Sequence, residues 1–193
     1  DGNGGNGDDG GTAEVLFDVE GITNVAATDT DVALDGQIDT ELVLQTGEIT
    51  GDLQLDPTVA QFGISKLFRK IQGRADIEFE SVGEVTGTLE DGQLNAQSEV
   101  IIKVPETRVS LIAFWFRSNG FRIGGGEECQ TEESVTINLE NAEGTEFDPL
   151  GGGTVVGTYE APPLENCGIL TGVLNEFLAG PGNTIELDLS QQQ

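Results

Sequence analysis

VTGTLEDGQLNAQSEVII, residues 85–102, decides how the chain is read: Val85, Gly87 and Leu89 alternate with polar residues as far as Asp91-Gly92, and Leu94, Ala96, Ser98, Val100 and Ile102 alternate beyond it. Alternation of this period puts successive side chains on opposite faces of a strand. Asp-Gly supplies the two positive-φ residues of a type I′ turn. The stretch is therefore a β-hairpin, and the same period recurs on both sides of it. Val15, Phe17 and Val19 alternate with Leu16, Asp18 and Glu20, and Ile38, Thr40, Leu42 and Leu44 with Asp39, Glu41 and Val43; Ile49, Leu53 and Leu55 follow Thr46-Gly47. Ala75, Ile77 and Phe79 alternate with Asp76, Glu78 and Glu80, and later runs occupy 134–140, 153–160 and 183–190. Short alternating runs at regular spacing predict an all-β fold, an antiparallel β-sandwich or barrel-like sheet of about nine to ten strands with a short C-terminal helix.

Two segments keep helical spacing instead. Ile169, Leu170, Val173, Leu174, Phe177 and Leu178 form one stripe, with Asn166 as candidate N-cap and Gly180-Pro181-Gly182 as stop. Ile64, Leu67, Phe68 and Ile71 form another, opposite Lys66, Arg69 and Lys70, and predict a short basic helix over 64–71. Residues 1–11, DGNGGNGDDGG, have linker composition and are expected to be a flexible tether of the kind that follows an export signal. The lack of methionine fits a processed chain. Residues 12–191 are expected to form a single β-rich domain.

Charge narrows the function classes. Thirty-five Asp and Glu against eight Lys and Arg give a net charge of -27, which repels a compact domain from itself unless salt screens it. The excess predicts a salt-adapted source or a cation-gathering surface, and it argues against nucleic acid as a partner, since phosphate binding needs a basic face. Every cation lies between Lys66 and Arg122. A basic helix there would suit an anionic membrane or an acidic partner, but pairing with carboxylates on neighbouring strands is the plainer reading. Val109-Ser110-Leu111-Ile112-Ala113-Phe114-Trp115-Phe116 is apolar on both strand faces, so it is either covered twice or carries a contact through Ile112, Phe114, Trp115 or Phe116.

Chemistry-bearing patterns are few. There is no histidine, which removes Ser-His-Asp and Cys-His arrangements. Neither Gly124-Gly125-Gly126 nor Gly151-Gly152-Gly153 is followed by the Lys and Ser/Thr of a phosphate-cradling loop. Carboxylate pairs abound and so discriminate nothing. The expectation is no enzyme, no catalytic residue, no metal and no cofactor. Calcium is the alternative, through Asp1, Asn3, Asn6, Asp8 and Asp9 or through Asp29, Asp31, Asp35 and Asp39, although the EF-hand spacing is missing. Cys129 and Cys167 are expected to pair as a disulfide in an exported chain, two buried free thiols being the alternative.

The C-terminal third carries a resemblance. Gly152-Gly153-Thr154 through Gly157-Thr158-Tyr159, then Ala161-Pro162-Pro163, Asn166-Cys167-Gly168 and Gly180-Pro181-Gly182-Asn183-Thr184, with Cys129-Gln130-Thr131 and Phe147-Asp148-Pro149-Leu150 upstream, resembles a group of secreted actinobacterial β-rich proteins of unknown function. The resemblance implies export and a paired disulfide and brings no activity. The expected function is an exported, acidic structural or interaction protein of the cell surface or exterior, noncatalytic, contacting another protein or copies of itself. The alternative is a binder of an apolar ligand or lipid surface through strand 109–116 and the 64–71 helix.

Overall fold

The computed structural model describes residues 11–66, 69–113, 116–117, 120–169 and 171–192, with the side chains of 64–71 and 111–119 outside the description. In chain order the elements are β1 (Thr12–Val25), β2 (Thr30–Val43), β3 (Glu48–Leu55), β4 (Thr58–Lys66), β5 (Arg69–Ser81), β6 (Val85–Glu90), β7 (Gln93–Ala113), β8 (Phe116–Arg117), β9 (Phe121–Gly124), β10 (Gln130–Thr131), β11 (Val135–Asn141), β12 (Gly152–Ala161), β13 (Leu164–Glu165), α1 (Thr171–Leu178) and β14 (Gly180–Gln191). The all-β expectation holds, with fourteen strands among the described residues where about nine to ten alternating runs were legible. At the deciding hairpin Asp91 and Gly92 take φ of 51° and 77°, as the turn chemistry demands.

Eight strands close into an antiparallel barrel, β1–β2–β3–β6–β7–β11–β12–β14 and back to β1, with β7 pairing β11 to complete the ring. Its stagger follows from one outward row. Glu41, Thr50, Thr86, Gln97, Asn138, Thr158, Thr184, Asn24 and Asp31 are successive register partners, so one circuit returns to β2 ten residues from its start. Eight strands with that stagger tilt roughly 40° from the axis. Such a barrel is narrow enough for side chains to fill.

They do fill it. Val15, Phe17, Val19, Leu34, Ile38, Val100, Val135, Val155 and Leu187 are among the buried inward residues. The 142–151 loop closes one end by inserting Phe147, whose ring meets Phe17 edge-on at 5.9 Å. Asn141 latches this end, accepting from the Leu94 amide and donating to the carbonyls of Gly92 and Thr145.

A second buried cluster lies beyond the other end, where Val25 and Val32 meet Ala60, Phe62, Ala75, Ile77, Val104, Leu164 and Leu174. Cys129 and Cys167 are joined there as a disulfide, fully buried, with Cα atoms 4.4 Å apart. Helix α1 is held by three anchors: Leu174 in the core, Phe177 stacked on Phe62 at 5.5 Å, and Asn175 bridging the Leu164 amide and carbonyl. The helix begins at Thr171 rather than behind Asn166. Asn166 has a φ of 56° and the disulfide ties down Cys167, so the chain turns through Gly168 before the helix starts.

The basic helix expected over 64–71 is not there. Residues 64–66 end β4 and 69–71 begin β5, paired as Ile64↔Ile71, Ser65↔Lys70 and Lys66↔Arg69. Seven residues separate Ile64 from Ile71, two helical turns but also the span between facing positions of a tight hairpin. Pairing of β5 along β7 decides between them, since Gly63 and Gly73 are poor helix formers and β5 from Lys70 to Asp76 is paired with a strand on each side.

Candidate functional site

Beyond the barrel rim, β4, β5, the second half of β7 and β9 form a four-stranded arm, with β8 at its tip. The pleat gives it two faces. One carries the register rows Ala60–Ala75–Thr107–Gly124 and Phe62–Gly73–Val109–Phe121. This face is turned to the second core, with Ala60, Phe62, Ala75 and Thr107 buried. A Cβ on Gly73 would overlap the Phe62 ring, which explains the glycine.

The other face is cationic. Gln61, Arg74, Arg108 and Arg122 are successive register partners on four adjacent strands, and Lys70, Ile112 and Arg117 share a row nearer the tip. Between the two rows lie Gln72 and Ser110, lining an open hollow of about 710 Å³ with Gln61, Arg74 and Arg108. On the barrel side, Asp76 and Glu106 face each other in register. Arg74 pairs with Asp76 at 3.0 Å and Arg108 with Glu106 at 3.0 Å, while Arg122 donates to the Pro105 carbonyl. The hydrogen bond from Arg108 holds the Glu106 carboxyl below its ordinary pKa and raises that of the guanidinium.

From Pro57 to Ala75 and from Thr107 to Gly126 the sequence contains no acid at all. In so acidic a chain, an ordinary solvated face would carry several. All eight cations fall on or beside this arm; Lys103, at its base, pairs with Glu80. Pairing with a carboxylate on a neighbouring strand, as expected, holds for Lys103, whereas Arg74 and Arg108 pair along their own strands, and the Arg74–Arg108–Arg122 row was not singled out from sequence. Its signal was present in the spacing Arg74-x-Asp76 and Glu106-x-Arg108, which places each pair on one strand face.

The other sequence candidates divide by register. Lys70 and Ile112 sit in cationic-face rows, and Lys66 and Arg69 form the last described pair of the β4–β5 hairpin. Phe116 pairs with Ala113. Phe114 and Trp115 lie outside the described residues, as do Asp1, Asn3, Asn6, Asp8 and Asp9. Asp29 and Asp31 share the Asn24 amide, and Asp35 and Asp39 stand outward on β2. Among the described residues no three acids or cysteines converge as metal ligands.

The barrel lumen retains a cavity of only about 60 Å³, and the second core one of about 40 Å³. Small-molecule sites run from about 300 Å³ upward. The larger hollows lie on the surface, at the arm and along an outer-wall groove of about 1000 Å³ lined by Thr86, Gln97, Asn138 and Thr158. Comparison with protein-family models, curated proteins and solved structures finds no match to this chain.

Proposed function

We propose that this chain is a noncatalytic structural or interaction protein of the cell surface or exterior, adapted to salt, that acts through its surface. The segregation of charge carries the reading: an acidic barrel presents a cationic arm whose stretches 57–75 and 107–126 contain no acid. The filled lumen favours surface contact over an enclosed apolar ligand. The buried disulfide fits an exported chain. The apolar-ligand alternative loses the basic helix on which it partly rested.

Fractionation of the source cells, with a protease added to intact cells, tests the reading. The chain is expected in the medium or in the protease-sensitive surface fraction, with both cysteines oxidised. A cytosolic chain with two free thiols would overturn it.

A further inference from the structure

The cationic row has an acidic counterpart on the barrel wall. Arg74, Arg108 and Arg122 stand in direct register on three adjacent antiparallel strands. Asp188, Glu20 and Asp35 stand in direct register on three others, β14, β1 and β2, all exposed on the barrel wall. Like charges placed opposite one another destabilise a sheet; Asp76 and Glu106 offset this for Arg74 and Arg108, while the Asp188–Glu20–Asp35 row contains no cation. Each would be relieved by the other. Neighbouring strands lie about 4.8 Å apart in any sheet, so three guanidinium groups and three carboxylates at that common spacing can meet one to one.

We infer that the Arg74–Arg108–Arg122 row docks on the Asp188–Glu20–Asp35 row of a second copy of this chain. The proposal deepens the surface-contact reading above and rests on it. The two rows lie on different elements, so a single contact leaves a free arm on one copy and a free wall on the other; the arrangement proposed is this head-to-tail one, which propagates, and not a reciprocal two-fold pair. The arm is well placed to reach a neighbour. The chain enters the barrel at Thr12, opposite Val43, and leaves beside Phe17 and Leu16, whereas the arm adjoins the other end, where Val25 and Val32 join its core.

Salt sets the conditions. In dilute buffer two bodies of charge -27 repel at long range. Near 1 M salt the screening length falls to about 3 Å, removing the long-range repulsion, whereas guanidinium–carboxylate pairs partly buried in the contact are screened much less. Assembly of this kind rises with salt. Binding of a polyanion to the arm would do the opposite, because counterion release makes it weaken with salt.

Sedimentation velocity on the full chain in dilute and molar NaCl tests the proposal with two neutral variants, R74Q/R108Q in the arm and E20Q/D35N in the wall. The parent is expected to be monomeric in dilute buffer and to form chains in molar salt. Each variant alone is expected to lose at least tenfold in association. Mixed in equal amounts they should form dimers and no larger species, because the intact arm of one meets the intact wall of the other. The single variants R122Q and D188N repeat the test if either double variant loses its far-ultraviolet circular dichroism. A parent monomeric at both salt concentrations, variants that assemble like the parent, or a mixture that stays monomeric would each overturn the proposal. So would binding of heparin to the parent in dilute buffer without self-association in molar salt. None of these outcomes bears on where the chain is located or whether its cysteines are oxidised.

Discussion

Arg74 and Arg108 face each other across β5 and β7, and each turns along its own strand to a carboxylate two residues away, Asp76 and Glu106. Two like-charged pairs are thereby set side by side, and the cross-strand repulsion within each is offset by the ion pairs along the strands. Both arginine side chains remain more than half exposed, so these ion pairs arrange the arm's charge more than they stabilise it.

The Glu106 carboxyl should titrate below the ordinary glutamate range because Arg108 donates to its charged form. A depressed folded pKa adds stability above the unfolded value and loses it as pH falls through the folded one. Carboxyl-carbon NMR should show the midpoint returning to the ordinary range in Arg108→Gln. An ordinary midpoint in the parent would mean that the pair does not persist in solution.

Reduction of the Cys129–Cys167 bridge should cost about 3 to 4 kcal/mol, the chain-entropy estimate for a loop of this separation. Loosening should begin at α1 and the base of the arm, which share the buried cluster around the sulfurs. Denaturant melting with and without reductant, alongside hydrogen exchange, measures both. Equal protection of Leu174 and its neighbours in the two states would contradict this assignment.

Thr107 is fully buried beneath the arm, and its hydroxyl has no hydrogen-bond partner among the described residues. Replacing it with Val keeps the shape and removes the desolvated hydroxyl, so Thr107→Val should stabilise the fold by about 1 kcal/mol. Chemical unfolding of the variant checks the sign, and a clear loss of stability would show that the hydroxyl is satisfied in solution.

Phe147 closes the barrel from a loop, packed on Phe17. Phe147→Ala should cost about 3 to 5 kcal/mol by opening a cavity at that end of the lumen. A loss under about 1 kcal/mol in urea melting would indicate that the loop is only loosely seated.

The barrel was legible because one face of each strand is buried, which imposes alternation on β1, β2, β3, β6, β7, β11, β12 and β14. Closure was not, since the β7–β11 pairing joins residues about forty positions apart through a register that alternation does not encode. The arm misled for a different reason. Ile71, Gly73, Ala75 and Ile77 continue the alternation of β5 to its start, but Ile64 and Ile71 also satisfy helical spacing, and only the pairing with β7 distinguishes the two. Of the site, the confinement of cations to 66–122 was visible in the sequence. The three-arginine row was not, because Arg74, Arg108 and Arg122 meet only through strand pairing.

Thermal unfolding of the parent chain from dilute to molar NaCl tests most directly the claim that this is an acidic fold adapted to a salt-rich exterior. Screening of the carboxylate repulsion should raise the melting temperature by roughly 10 °C or more, several kcal/mol for a domain of this size. A melting temperature indifferent to salt would contradict the account.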